Sequence, residues 1–481
     1  MQKKRIVFFS RCRLADLYGE IDSVLSKKYE IFHVAYDYSE FNILNKKYNI
    51  PPSKITIFKV FFKNYLLSNP KPDLNKLNII DRIIIQATDE RFNLNSSIQS
   101  DRAMAGMPYL DALRIIQACY SFWDEYLNKI SPDIVFHELV SLSINHMCSV
   151  ICKIKSIFYV SEIQIFGMHS YDLFFCTYWG GSPEYLKGTR KNATSEKIEE
   201  NLSEINAYLD KFRNSVNTFL LSQRKGFRLI RTLNNAINVS ISNFIHNKKG
   251  YELEDYIEKY IYSNNMPLNR AKNLIRYRFF PWDKYDASKQ FYFYPMHLEP
   301  EGAVSYWGDG LYANQIKLIE NIAGMLPPGV LLYVKDHPHE IGYRAVNDYY
   351  ILKSIPNIRI IKADLPARRI ILDSKGVITI NGTAGFEALL LNKPVYIFGN
   401  AYYEFSNRVT KVKNIKDLRN ILYRDSQLNF SDDIDLYQFI FLILKNSYEG
   451  NTTVYYGQKG EIDRNNIIKI SNSFQSFIDS L

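Results

Sequence analysis

Long apolar runs are missing from this chain. No stretch of about 18 consecutive apolar residues occurs, so a membrane-spanning helix is not expected. Cysteine is scarce and odd in number. Cys12, Cys119, Cys148, Cys152 and Cys176 sit mostly in apolar stretches and read as reduced, buried thiols of a cytoplasmic protein, not as a disulfide framework. A secretory leader is not expected either, because the basic opening MQKKRIVFFS holds an apolar run only a strand long before it breaks into RCRLAD. There is no G-x-x-x-x-G-K-[ST], and no G-x-G-x-x-G comes after the first strand, so the P-loop and the dinucleotide fingerprint are excluded. HELVS is not H-E-x-x-H, and His146, Cys148 and Cys152 share one helical stretch where packing accounts for them better than zinc. The only Asp-x-Asp, Asp433 to Asp435, opens a C-terminal helix and reads as a cap. No metal site and no cofactor are therefore expected. Internal repeats and low-complexity tracts are also absent.

What is present is a globular composition, 46% hydrophobic and 23% charged, in a chain too long for a single core. Two domains plus an embellishment are expected. The aromatic share, 15% with 36 Tyr, suits thick cores or surfaces that touch sugars and lipid headgroups. It also matches a composition drifting toward Lys, Ile, Asn and Tyr. The net charge of +10 points to nucleic acid, an anionic membrane face or phosphorylated substrates. It is spread along the chain with no basic arm and no nucleic-acid fold signature, which removes the first.

Along the first part, RIVFFS, YEIFHVAYD, PDIVFHELV and IKSIFYVSE read as strands alternating with amphipathic helices, hence a parallel sheet covered on both faces. From about residue 190 to 289 the pattern turns helical, and RKGFRLIRTLNNAINVSISNFI interleaves basic and aromatic residues that could lie on an anionic membrane. Alternation returns after Gln290 with FYFYPMHLEPE, GVLLYVKDHP, NIRIIKA, GVITING and PVYIFG. The expected organisation is an N-terminal domain over 1–189, a helical connector over 190–289, a second α/β domain over 290–425, and helices over 426–481 that pack back on the first domain.

Ligands in such sheets gather at the carboxyl ends of strands, which singles out Ser10, Arg11, His137 and Glu138 in the first domain. In the second, the turn Asn381, Gly382, Thr383, Ala384, Gly385 leads from a strand into a helix. Free N–H groups there suit a phosphate, and small residues allow close approach. Glu387, one turn in, is placed to accept hydrogen bonds from a ribose diol, or else to complement the helix dipole. A capping box would need the acid at position 386, which is Phe386. Lys335, His337 and Arg344 flank another strand end, with Pro338 stiffening the turn, and read as phosphate ligands. His297, Glu299 and Glu301 come just after the strand that opens the domain and are candidates for acid, base or nucleophile.

The stretches YFYPMHLEPE, LLYVKDHPHEIGYR and TINGTAGFEALLLNKPVYIFGNAYY, in this order and spacing, resemble the bacterial capsule polysaccharide biosynthesis family, including its Kdo (3-deoxy-manno-octulosonic acid) transferases. The resemblance covers mainly 290–405. It implies a GT-B fold, an α/β architecture of two Rossmann-like domains facing a cleft, and a cytoplasmic enzyme that extends a lipid-linked or surface glycan. It places His337–Pro338 near the donor phosphate and Thr383 and Glu387 in the nucleotide site. His297 and Glu301 stand where Kdo transferases carry a Gln and an Asp. The expected partners are a nucleotide sugar, best a CMP-linked ulosonic acid, and a glycan or lipid-linked acceptor, with peripheral contact at the inner membrane and no nucleic acid. A UDP-sugar transferase, a 2-epimerase or a polyol-phosphate transferase on the same architecture remains open, as does a non-catalytic glycan-binding assembly factor.

Overall fold

Strands here are short and buried on both faces, which is why β-branched and aromatic residues run continuously through them rather than alternating with polar ones. The computed structural model describes residues 3–104, 106–177, 194–215, 253–257, 267–425, 433–456 and 463–481. By internal packing these fall into two compact units, Met1–Thr194 with Phe441–Leu481, and Ser195–Ile440.

The first unit is built on β1 (Arg5–Ser10), β2 (Glu30–Ala35), β3 (Ile55–Ile57), β4 (Ile134–Phe136), β5 (Phe158–Gly167) and β6 (Ser170–Thr177). The second is built on β7 (Phe291–Pro295), β8 (Leu331–Lys335), β9 (Ile358–Ile361), β10 (Val377–Thr379), β11 (Val395–Ile397) and β12 (Val409–Lys411). A last short strand, β13 (Ser447–Tyr448), returns to the edge of the first sheet beside β6. The spatial orders are β13-β6-β5-β4-β1-β2-β3 and β12-β11-β10-β7-β8-β9.

The second sheet is parallel throughout, and the first is parallel from β3 to β5. The chain therefore forms two Rossmann-like α/β units, the fold class expected from its alternating strands and helices.

Each sheet changes winding direction once. In the first, β1 to β3 run outward one way and β4 to β6 the other, so the reversal lies between β1 and β4. In the second it lies between β7 and β10, which pair at Phe293 and Val377. Chain leaving neighbouring strands there diverges to opposite faces, and the crevice left at the carboxyl ends is where open α/β sheets hold ligands.

Helix Arg464–Ser480 lays Ile470, Phe474 and Phe477 into the first core with Phe8, Leu14 and Phe136. Tyr292, Tyr294, Ile319 and Leu332 anchor the second core. The segment 426–481, expected to pack as a whole on the N-terminal domain, divides instead. Its part up to Ile440 belongs to the second unit, where Phe439 meets Phe386 and Phe405 edge-on or tilted.

In the stretch read as a connector, Leu202–Asn214 is a helix. Its C-terminal carbonyls at Phe212, Arg213 and Ser215 accept hydrogen bonds from the Arg368 guanidinium, fastening it to the second unit. The basic, aromatic stretch 224–245 lies outside the described residues. Among the described residues no helix is long and apolar enough to cross a membrane.

Candidate functional site

Three adjacent strands of the second sheet, β10, β7 and β8, deliver the candidate residues to one edge. The loop after β7 carries His297 to Glu301, the loop after β8 carries Asp336 to Arg344, and the turn after β10 carries Ile380 to Gly382. His297 and Thr379 join the two sides of the winding reversal, with the imidazole Nε2 3.0 Å from the threonine Oγ1. That same Oγ1 accepts the Gly382 N–H at 3.1 Å, so His297, Thr379 and the turn are a single braced unit.

The helix after the turn runs Thr383–Leu390 with Gly382 at its N-cap. First-turn N–H groups of an α-helix have no intrahelical acceptor, which leaves those of Thr383 and Ala384 toward the edge. The Gly382 N–H is not among them, because Thr379 holds it.

The glycines are explained by protein rather than by ligand. A Cβ at Gly385 would lie 2.3 Å from the Tyr403 hydroxyl, which donates to the Gly382 carbonyl at 2.7 Å. The expectation that Gly385 admits a ligand is corrected accordingly. At Gly382, a Cβ would crowd His297 Cε1 and Thr379 Oγ1, both at 3.1 Å.

Glu387 sits at the fifth position of this helix, too deep to meet the first N–H groups, so the dipole explanation loses its geometry. Its Oε2 is buried with no hydrogen-bond partner among the described residues. Burial pushes this carboxyl up to about 7, against the pull of the nearby Arg368 and Lys335 charges. A buried acceptor lacking a donor is costly, and a diol would supply two.

Lys335, the last residue of β8, is buried, and its carbonyl accepts the Met296 N–H at 2.9 Å. His337 opens the short turn Pro338–Glu340, where its Nδ1 accepts the His339 N–H at 3.1 Å. Neutral His337 therefore carries its proton on Nε2, as a donor.

Arg344 and Glu299 do something other than expected. The Arg344 guanidinium is paired with the Glu299 carboxylate, reaches Asp336 at 3.2 Å, and donates to the His297 carbonyl at 3.0 Å. Asp336 also takes the His337 N–H at 2.7 Å and the Tyr349 hydroxyl. Gln315 closes the loop, accepting from His297 N–H at 2.8 Å and donating back to its carbonyl at 3.2 Å. Arg344 and Glu299 are thus the clamp that holds the β7 and β8 loops together, not ligands for a phosphate or substrate. Glu340 belongs to the same knot, accepting the Glu299 N–H at 3.1 Å, with burial raising its carboxyl to about 7.

His297, 8% exposed, is held down to about 3 by burial, with His337 and Arg344 adding to the effect. It is a neutral link and not an imidazolium acid. Glu301 is half-buried at the N-cap of the single turn Gly302–Ser305, where its side chain makes no capping bond.

In the first unit, Arg11 lies just past β1 and Glu138 just past β4, flanking that sheet's own winding reversal. Read singly they suit separate roles, but the structure joins them in a two-pronged pair at 2.9 and 2.8 Å. The carboxylate raises the Arg11 guanidinium above its ordinary value despite burial. The Glu138 N–H donates to His137 Nδ1 at 2.8 Å, while the His137 ring stacks on Phe9 at 3.9 Å between centroids. Ser10 is fully buried at the end of β1.

Asp336, Thr379, Gln315, Tyr349, Arg368 and Tyr403 were not singled out in the sequence. Only Asp336 and Thr379 carried a signal, each lying at a strand's carboxyl end.

Residues 203–434 match the family described as "Capsule polysaccharide biosynthesis protein". The capsule polysaccharide export protein KpsS of Escherichia coli is 29% identical over 157 residues, covering 30% of this chain. The match spans 36% of that relative's length.

Among solved structures, the KpsC beta Kdo 2,7 transferase of Thermosulfurimonas dismutans is 14% identical with a TM-score of 0.30, over 66% of this chain and 80% of its own. UDP-GlcNAc 2-epimerase of Methanocaldococcus jannaschii, solved with UDP-GlcNAc and UDP, is 13% identical with a TM-score of 0.28, over 92% of this chain and 99% of its own. The S. aureus MnaA–UDP structure is 11% identical with a TM-score of 0.27, over 100% and 98%. At these TM-scores the structures carry no argument about this chain. The likeness in sequence does not rest on them: over residues 203–434 this protein is similar to the capsule polysaccharide biosynthesis family.

Proposed function

We propose that the protein is a glycosyltransferase of capsule or related surface polysaccharide synthesis, taking its sugar from a nucleotide-activated donor. The observation that carries this reading is the edge of the second sheet. A helix start, a buried lysine, a histidine with its proton on Nε2 and a buried carboxylate oxygen without a donor meet beside the winding reversal. In this reading Lys335, His337 and the N–H groups of Thr383 and Ala384 neutralise the leaving phosphate as its charge develops. Glu387 holds the ribose diol. Glu301, in the loop after β7, is the candidate nucleophile or base, with Glu138 as the alternative on the acceptor side.

The best single donor is a CMP-linked ulosonic acid such as Kdo, and the acceptor is a glycan or lipid-linked oligosaccharide at the cytoplasmic face of the membrane. Cationic side chains and a helix start can carry the phosphate charge by themselves, so a metal-independent mechanism is part of the proposal. Calorimetric titration with CMP, CDP, UDP and GDP tests it. Tight CMP binding supports the ulosonic donor. Preference for UDP replaces that donor with a UDP-sugar, for transfer or 2-epimerisation. No binding to any nucleotide sinks the enzyme reading and leaves a glycan-binding assembly factor.

A further inference from the structure

The antiparallel pair β5–β6 outruns its sheet. β5 pairs with β4 only as far as Val160, and from there to Gly167 it pairs with β6. The hairpin therefore continues for about 23 Å of strand past the carboxyl edge that carries Arg11 and Glu138. Near its tip β6 is flanked by β13, which leads into Glu449, Gly450 and Asn451, and by the start of helix Arg464–Ser480. These three segments enclose a cavity of about 580 Å³ that lies wholly within the first unit. Small-molecule sites occupy about 300–1,000 Å³, so the size is that of a ligand pocket.

Its walls are fixed by the fold. Asp172 closes the hairpin turn, accepting the Met168 N–H at 2.8 Å and the His169 N–H at 3.2 Å. The His169 ring then spans two carboxylates, with Nδ1 3.3 Å from Asp172 and Nε2 3.0 Å from Glu449. Lys469 reaches the other oxygen of Glu449 at 3.1 Å, tying the helix to the same point. Asn451 and Asn466 form a reciprocal pair: the Asn451 N–H donates to Asn466 Oδ1 at 2.9 Å, and Asn466 Nδ2 donates to the Asn451 carbonyl at 2.8 Å. Gly450, with φ +128° and Ile470 2.7 Å from where a Cβ would stand, makes the turn between them. Tyr171 is half-buried and braced edge-on by Phe166, with ring centroids 6.4 Å apart.

The lining sets the class of ligand. It is made of amides, carboxylates, an ammonium, an imidazole and a phenol ring, with Ile468 as its aliphatic side chain. An apolar ligand would strip those polar groups of water and give nothing back. An anion would face Glu449 and Asp463, while Lys469 is already committed to Glu449. Among the described residues no group of three or more His, Cys, Asp or Glu is placed to hold a metal ion. A neutral sugar fits all of these: its C–H face lies on an aromatic ring, and its hydroxyls donate to carboxylates and exchange hydrogen bonds with amides. We propose that this cavity binds a short neutral stretch of a glycan, with Tyr171 as the stacking platform and Asn465, Glu449 and Asp463 as hydroxyl partners. Asn465 gives its backbone N–H to Asp463 at 3.1 Å, and its side chain lines the cavity. Binding here does not depend on the donor-site reading. That the glycan is the acceptor, held by its interior on the hairpin while its end is worked on at the sheet edge, does rest on that reading.

The test is saturation-transfer NMR on the full chain, titrated with maltotriose and chitotriose as neutral probes and with trigalacturonate as an acidic one. The expected result is binding of at least one neutral trimer, and weaker binding of the acid. Y171A is expected to lower affinity about fivefold or more, and Y171F, which keeps the ring, to stay within about twofold of wild type. N465A is expected to lower it about threefold. Asn465 is exposed, so N465A should keep the wild-type circular dichroism and melting temperature, and it decides the matter alone if Y171A fails to fold. Binding of neither neutral trimer overturns the proposal, as does tighter binding of the acid. A folded Y171A or N465A that binds sugar like wild type overturns it too. Y171A should leave nucleotide affinity unchanged and E387A should leave sugar affinity unchanged, so loss of one kind of binding with the other kept shows which reading has failed.

Discussion

Replacing Arg344 by Met removes the charge at the centre of the clamp and keeps most of its bulk. The Arg344 side chain is 3% exposed, Asp336 1% and Glu299 25%. Taking one partner from a buried ion pair costs about 3–5 kcal/mol, because the other charge stays behind unpaired. Two features pull the expectation to the low end. Asp336 keeps the His337 N–H and the Tyr349 hydroxyl, and Glu299 can turn toward water. A loss of about 3 kcal/mol lowers the melting temperature of a unit this size by about 6–12 °C.

The pH dependence gives the sharper signature. Burial already raises the Asp336 carboxyl above its ordinary value with Arg344 present, and removing the guanidinium takes away the main opposing pull. A folded-state value above the unfolded one means the folded protein binds the extra proton, so stability falls as pH rises between the two values. R344M is therefore expected to recover part of its deficit as pH drops from neutral toward the ordinary aspartate range. R344M/D336N should be more stable than R344M alone at neutral pH. Calorimetry on wild type, R344M, D336N and the double variant across pH checks this. A deficit below about 1 kcal/mol, the value of an exposed pair, or one that does not move with pH, would refute the buried-clamp argument.

E387A should weaken nucleotide binding without unfolding the second unit, read by titration and circular dichroism together. Loss of fold with unchanged affinity would return Glu387 to a structural role. Because its carboxyl stands at about 7 in the unliganded protein, nucleotide binding should tighten as pH rises through neutrality, and E387Q should flatten that profile. The same raised value means the unliganded protein loses stability as pH rises through 7, so E387Q should melt no lower than wild type in alkaline buffer. G385A drives a methyl against Tyr403 and is expected to cost about 1–3 kcal/mol, visible as a lower melting temperature with weaker nucleotide affinity. E138Q should leave nucleotide affinity intact. If it also leaves polysaccharide output in cells intact, Glu138 is only the partner of Arg11.

Local sequence carried the strands, the parallel α/β plan of both units and the turn after β10, because these depend on runs of buried residues and on the few residues just past each strand. The placement of Lys335 and His337 at a strand's carboxyl end, and of Glu387 one turn into a helix, was legible for that reason. The clamp was not. Arg344 and Glu299 are 45 residues apart, and each has the chemistry of a ligand until its partner is seen. Gln315 reaches His297 across 18 positions from a helix with no motif of its own. Gly385 pointed to a small space, but the hydroxyl that fills it comes from Tyr403, which only folding brings back. Long-range pairing of polar groups has no period for a sequence pattern to reveal.

Arg368 links two places that a domain map would separate. Its guanidinium caps the helix Leu202–Asn214 through three carbonyls, lies 4.6 Å over the Phe212 ring, and still lowers the carboxyl of Glu387. A fragment cut at residue 290, the natural place to trim for the second α/β fold, would strip that guanidinium of every one of those acceptors. Freed, it would still bear on the buried carboxyl of Glu387, whose charge it already favours. If Glu387 holds a ribose diol, such a fragment is expected to bind nucleotide more weakly than the full chain, which titration of the two side by side would check. The helix upstream has to travel with the domain to keep Arg368 on its carbonyls.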